Sequence, residues 1–206
     1  MLFGSSDRTG TPAAFLVVGL GNPGEEFVGT RHNLGFEAVS LLATRHGAKL
    51  KAGKERARSC EIRIGGQLIA LAEPQTYMNL SGESVRMLVK RHGIVDPAQV
   101  VVVYDELDLP SGRVKVKSGG GSAGHNGVKS VQAHLSSPGF ARVRIGVGKP
   151  PGTQKGIDYV LKRPGKHERV VLDVAVEIAA DAVETILSVG IERAMNTYNT
   201  EPAPTR

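Results

Sequence analysis

The stretch FLVVGLGNPGEEFVGTRHN, residues 15–33, decides how the chain is read. Its first part, 15–20, is apolar on both faces, the pattern of a strand buried inside a parallel sheet. GLGNPG, at 19–24, then spells G-x-G-x-x-G, the turn that holds a dinucleotide pyrophosphate at a helix N-terminus. That fingerprint requires its last glycine inside the first turn of a helix, and an acidic residue closing the next strand about 20 residues on. Here Pro23 and Gly24 make a turn, helical periodicity begins only near Asn33, and the next strand, near Cys60, ends without Asp or Glu. The context is wrong for a dinucleotide. The stretch instead turns the chain at a strand end, presents Asn22 there, and brings His32 back beside it.

Working outward, residues 33–46 have helical spacing and end in Arg-His-Gly, with cations in the last turn and Gly47 just beyond it. CEIRIGGQLIALAEP reads as a hairpin turning at Gly65-Gly66. A second helix is predicted over 80–92, with the same Arg-His-Gly ending at Gly93. Residues 100–104, VVVVY, repeat the buried-strand pattern; GRVKVKSG alternates as a half-exposed strand does, and ARVRIGVG is a further strand. GGGSAGHNG is a flexible loop opening a helix at 126–135, and a long helix spans 167–189. This order predicts one α/β domain over 14–198, with a mixed, twisted, mostly parallel central sheet flanked by helices. A disordered N-terminal tail is expected at 1–13 and a C-terminal tail at 199–206.

Composition narrows the class. The 206 residues suffice for one sizeable core and are few for two domains. No stretch approaches the ~18 consecutive apolar residues of a membrane span. The first residues, MLFGSSDRTGTPA, lack the basic start and apolar run of a signal peptide. One cysteine, Cys60, excludes an internal disulfide and suits a reducing cytoplasm. The net charge of +6 is uneven: Arg113 to Arg169 holds twelve Lys/Arg against two acids. Such one-sided basicity is the footprint of a polyanion partner such as nucleic acid.

Several chemical motifs compete. GGSAG at 120–124 fits the G-x-S-x-G nucleophile elbow, with Asp158 and His167 following in hydrolase order. An elbow is tight, whereas three glycines precede Ser122, so a Gly/Ser lid fits better. Asp105, Glu106 and Asp108 resemble a Mg²⁺ ligand set, but DLPSG is also an ordinary turn and only Asp105 directly follows the strand, so no metal is expected. His46 and His92 sit at helix ends, where a cation suits the dipole. His134 falls in a helix and His167 in a basic loop, neither with a partner visible in sequence, which leaves His32 and His125, each followed by Asn. In open α/β sheets, sites form beyond the carboxyl ends of the parallel strands. If the strands before Asn22 and Asp105 are neighbours, Asn22, His32 and Asp105 share one crevice. A carboxylate that accepts the imidazole Nδ1–H fixes the tautomer and supports a general base at Nε2. Water is then the natural nucleophile, and asparagine amides suit a substrate amide or a developing oxyanion.

At this point VGLGNPGEEFVGTRHNLGF, PQTYMNLSGESV, DELDLPSGRVKVKSGGGSAGHNG and RVRIGVGKP together closely resemble the bacterial peptidyl-tRNA hydrolases, from about Phe15 to Thr197. The resemblance implies hydrolysis of the ester between a peptide and the tRNA 3′ ribose, by a cytoplasmic, cofactor-free monomer with peptidyl-tRNA as its partner. It implies His32 as the base, Asp105 as its orienter and Asn22 as a substrate contact beside it. Asn79 and Asn126 would bind the peptide and the tRNA 3′ end, with Phe27, Tyr77 and His125 in the same binding group. Lys117 and Arg144 would grip a tRNA phosphate. Two departures stand out: Phe27 replaces a common Tyr, removing a hydroxyl, and Ala123 replaces a common Gly in the lid.

Overall fold

Two valine-rich strands stand at the centre of the computed structural model, which describes residues 10–200. They are β1 (Phe15–Gly19) and β5 (Val100–Glu106), paired in parallel with Val17 opposite Val101 and Gly19 opposite Val103. Side chains alternate across a sheet. Val17, Val101 and Val103 therefore enter one core, while Leu16, Val18, Val102 and Tyr104 enter the other. Burial on both faces is why these stretches are continuous apolar runs. β4 (Gln67–Pro74) joins β1, and β7 (Ala141–Gly146) joins β5, both in parallel. Antiparallel strands complete each side: β3 (Ala57–Ile64) and the short β2 (Lys51–Ala52) on one, β6 (Val114–Ser118) on the other. The order is β2-β3-β4-β1-β5-β7-β6.

Helices cover both faces, as the sequence order implied. α1 (Leu34–Arg45), α5 (Lys166–Val189) and α6 (Ile191–Tyr198) pack on one; α2 (Ser81–His92) and α3 (Asn126–Leu135) pack on the other. The short α4 (Gly156–Val160) leans over the strand ends. α4, α6 and β2 were absent from the predicted elements. β2 and α4 are too short to show a period, but α6 does carry one: Ile191, Ala194, Met195 and Tyr198 pack against the core at helical spacing.

The chain leaves β1 towards β4 and then crosses back over β1 to reach β5. The order therefore reverses between β1 and β5, and a crevice opens beyond their carboxyl ends. The first glycines of GLGNPG serve this geometry rather than a phosphate. A Cβ on Gly19 would lie 2.1 Å from the Gly35 carbonyl oxygen, and one on Gly35 would lie 2.3 Å from that of Val103. The start of α1 rests directly on the backbone of β1 and β5.

The chain ends differ from expectation within the described residues. Ala13, assigned to a disordered tail, is buried, and its N–H donates to the His92 carbonyl at 2.9 Å. Asn199, assigned to the other tail, accepts from the Val116 N–H at 2.9 Å and donates to the Val116 carbonyl at 2.8 Å. One amide thereby satisfies the open edge of β6. Residues 1–9 and 201–206, the remainder of both expected tails, lie outside the described residues. His92 is also not the helix-end cation anticipated: it is buried, and burial pushes its pKa down.

Candidate active site

Between β1 and α1 the chain makes two single turns of 3₁₀ helix, Glu25–Phe27 and Arg31–Asn33. Asn33 closes this loop. Its Oδ1 accepts from the Asn22 N–H at 2.9 Å and its Nδ2 donates to the Asn22 carbonyl at 3.0 Å. Asn22 in turn accepts at Oδ1 from the Met78 N–H at 2.8 Å. That bond fixes the amide orientation and leaves the Asn22 Nδ2 for the crevice. Asn33 had been noted only as a neighbour of His32; its pairing spans eleven residues and has no sequence period to reveal it.

His32 and Asp105 meet as anticipated. His32 Nδ1 donates to Asp105 at 2.8 Å from Oδ1 and 3.0 Å from Oδ2, and both residues are buried. Asp105 has a second imidazole partner. His125 Nε2 lies 3.1 Å from Asp105 Oδ1, while His125 Nδ1 accepts from the Val128 N–H at 3.3 Å as the N-cap of α3. The acceptor role at Nδ1 assigns the proton to Nε2, so neutral His125 donates to Asp105. His125 had been grouped with substrate contacts; here it braces the carboxylate, and its ring packs 5.0 Å from that of His32 and 4.9 Å from that of Tyr104.

The electrostatics follow. Burial opposes charge on both members of the pair. For His32 burial alone would lower the pKa, but the adjacent Asp105 charge and hydrogen bond raise it. For Asp105 burial alone would raise it, but His32 and His125 together hold it well below the carboxylate range. With Nδ1 committed to Asp105, His32 has a lone pair at Nε2 and a carboxylate ready to support the imidazolium.

His32 lines two adjoining cavities. One, of about 420 Å³, is walled by Asn22, Phe27, Tyr77, Asn79 and Asn126. The other, of about 250 Å³, adds Asp105, Glu106, Leu107, His125 and the α4 residues Ile157 and Val160. The structure thus gathers every predicted site residue except Lys117 and Arg144, which line neither cavity. Lys117 is exposed beside the glycine loop, and Arg144 sits half-buried with Nη1 3.6 Å from Glu106 Oε2. Ile157 and Val160 were missed because α4 was missed; their i, i+3 apolar spacing was the available signal.

The competing motifs separate here. Ser122 lines neither cavity, and its carbonyl accepts from the His125 N–H at 2.9 Å. The DELD acids do not converge: Asp108 faces Lys149 at 3.5 Å, while Glu106 faces Arg144. Among the described residues, only His32, Asp105 and His125 stand close enough to hold an ion together. A metal on His125 Nε2 would move the ring proton to Nδ1, against the Val128 N–H. The donor set fits a hydrogen-bonded triad and not a metal.

A mixed α/β sheet whose switch point holds a buried His–Asp pair beside an open cleft is an arrangement suited to a hydrolytic enzyme. A sequence model described as peptidyl-tRNA hydrolase matches residues 16–205. The chain is 46% identical over 185 residues to the peptidyl-tRNA hydrolase of Frankia alni, covering 90% of this chain and 93% of that one. It is 48% identical over 182 residues to that of Nocardia farcinica, covering 88% and 94%. The solved peptidyl-tRNA hydrolase of Acinetobacter baumannii superposes with a TM-score of 0.85 at 36% identity, covering 93% of this chain and 97% of that chain. The chain belongs to the peptidyl-tRNA hydrolase family.

Proposed function

We propose that this enzyme hydrolyses the ester joining a peptide to the 3′ ribose of tRNA, with His32 as general base on water. The observation that carries the mechanism is the His32–Asp105 pair, with Nδ1 bound and His32 lining the cleft. Water hydrogen-bonded to Nε2 loses its proton to His32 as its oxygen attacks the ester carbonyl. Asp105 stabilises the imidazolium so formed, and His125 keeps the carboxylate in place. The amides of Asn22 and Asn126 supply donors for the oxyanion. The tetrahedral intermediate collapses, the C–O bond to the ribose breaks, and the 3′ oxygen takes the proton back from His32. Free peptide and tRNA result.

Asn79, Tyr77 and Phe27 then hold the peptide and the terminal nucleotide on the larger cavity's walls. Tyr77 is 60% exposed, so its ring is open to stacking by a base or an apolar group of the substrate. Lys117 and Arg144 meet a phosphate outside the cleft, where a cation contributes affinity with little sequence selectivity. A protein monomer acting in the cytoplasm suits a substrate that arises in translation; among the described residues no helix is long and apolar enough to cross a membrane.

Release of the N-acetyl-aminoacyl group from charged tRNA tests the scheme. Wild type and Ser122→Ala should both turn over, and His32→Ala should lose about 10²–10⁴-fold in kcat with tRNA binding retained. His32→Ala within a few-fold of wild type would remove His32 as the base.

A further inference from the structure

Arg142 is a charged side chain that the proposed chemistry does not use. It is 1% exposed, the largest of the fully buried side chains, and no carboxylate lies within ion-pair distance among the described residues. Burying a guanidinium without an acid is costly unless its donors are satisfied. Its Nη donors go to main-chain carbonyls, Nη1 to Gly121, and Nη2 to Gly120 and, at 3.3 Å, to Pro138, with the Tyr104 hydroxyl also in reach, while Nε has no partner among the described residues. Gln132, on α3, donates to the same Gly120 carbonyl at 2.7 Å. The ring of Phe140 lies 4.7 Å below the guanidinium carbon.

The Gly120 and Gly121 carbonyls belong to the glycine loop that runs directly into His125 and Asn126. A peptide unit is planar, with its N–H opposite its C=O. Drawing the Gly120 and Gly121 carbonyls towards Arg142 therefore turns the N–H groups of Gly121 and Ser122 the other way. Neither amide has an acceptor among the described residues. Little else holds this segment: a Cβ on Gly121 or Gly124 would meet nothing within 4 Å. Backbone bonds hold the loop at its ends, Gly119 N–H to the Phe140 carbonyl and His125 N–H to the Ser122 carbonyl; between them the pose depends on Arg142, helped at Gly120 by Gln132.

We propose that Arg142 is a positioning residue for the hydrolysis: it sets the glycine loop in the pose that offers His125 to Asp105 and Asn126 to the substrate. The proposal rests on the peptidyl-tRNA reading above, but its loop arm is testable without turnover. Lysine keeps the charge yet cannot hold two carbonyls at once. In Arg142→Lys, amide hydrogen exchange over 119–126 should accelerate at least tenfold while the β5 amides hold. The value of kcat/KM for N-acetyl-aminoacyl-tRNA should fall at least tenfold. Adding His125→Ala to Arg142→Lys should cost far less than adding it to wild type, because the loop already mispositions that ring. A staple of purely structural role would instead lower thermal stability, quicken exchange throughout, and give additive effects. Should Arg142→Lys fail to fold, Gln132→Ala decides, since it removes a surface-side bond to the same carbonyl: loop exchange should rise two- to fivefold with a small loss in kcat/KM. Unchanged loop exchange in a folded Arg142→Lys or Gln132→Ala protein, or additivity with His125→Ala, would overturn the proposal. If wild type itself fails to release the N-acetyl-aminoacyl group, the function fails, while the exchange arm still reports on Arg142.

Discussion

Two glycine-rich segments wall the same cleft and use glycine for opposite reasons. In GLGNPG a side chain has no room: added Cβ atoms at Gly19 and Gly21 would strike the Gly35 carbonyl and the Phe36 ring. In GGGSAG the space is open at Gly121 and Gly124, an added Cβ at Gly120 would meet only the flexible end of Lys117, and the segment hangs largely from Arg142. The first wall is backbone packed on backbone and leads to His32. The second is a more open strip that leads to Asn126 and to His125, the brace on Asp105. Identical-looking glycine patterns thus encode a rigid half and a compliant half of one site. What separates them is the neighbour that each missing Cβ would meet.

The largest way to break the first wall's role is at the pair it delivers. Asp105→Asn should lower kcat about 10³–10⁴-fold, because an amide favours the wrong imidazole tautomer. The pH profile sharpens this. His32 must be unprotonated to act, and its pKa is raised above the ordinary 6.5. The acid limb of kcat/KM should therefore fall at a pH above 6.5 in wild type. In Asp105→Asn, burial without the carboxylate should move that limb downward. A limb that stays put would detach the profile from His32.

Next in size is Gly35→Ala, whose Cβ would sit 2.3 Å from the Val103 carbonyl oxygen and 2.5 Å from the Leu20 nitrogen. Neither atom can move without shifting a central strand, so about 3 kcal/mol of destabilisation is expected from overpacking. A thermal melt should show a drop of roughly 6–12 °C; an unchanged melt would mean the first wall is not closely packed. On the compliant side, Lys117→Ala should weaken tRNA binding and lower the slope of log affinity against log salt by about 1, with kcat unaltered at saturation. Retention of the full slope would take Lys117 off the tRNA surface. Smallest is Gly121→Ala, where nothing crowds the new methyl; stability should stay within about 0.5 kcal/mol. A large loss there would erase the contrast between the two walls.

Much of this was legible in one dimension. Strand burial at 15–19 and 100–106, the turn at Pro23-Gly24 and the convergence of Asn22, His32 and Asp105 follow from hydrophobic period and from where sites form in parallel sheets. Less legible were features with no period. Asn33 and Asn199 each pair a side-chain amide with a distant backbone, at 22 and 116. α4 is one turn long, and its Ile157 and Val160 reach the cleft only because the chain folds back over the strand ends.

The amino-acid sequence by itself determined the sheet, the helix faces, the basic half and the pairing of His32 with Asp105, since these rest on local period, residue chemistry and the place of sites in parallel sheets. Only the tertiary structure decided that His125 braces Asp105, that His92 is a buried ring whose pKa is pushed down by burial, and that Arg142 lies beneath the glycine loop. Those assignments depend on which groups meet across the fold and on how much water is excluded around them. Distance in space and desolvation are properties of the packed chain, and no local pattern of residues encodes them.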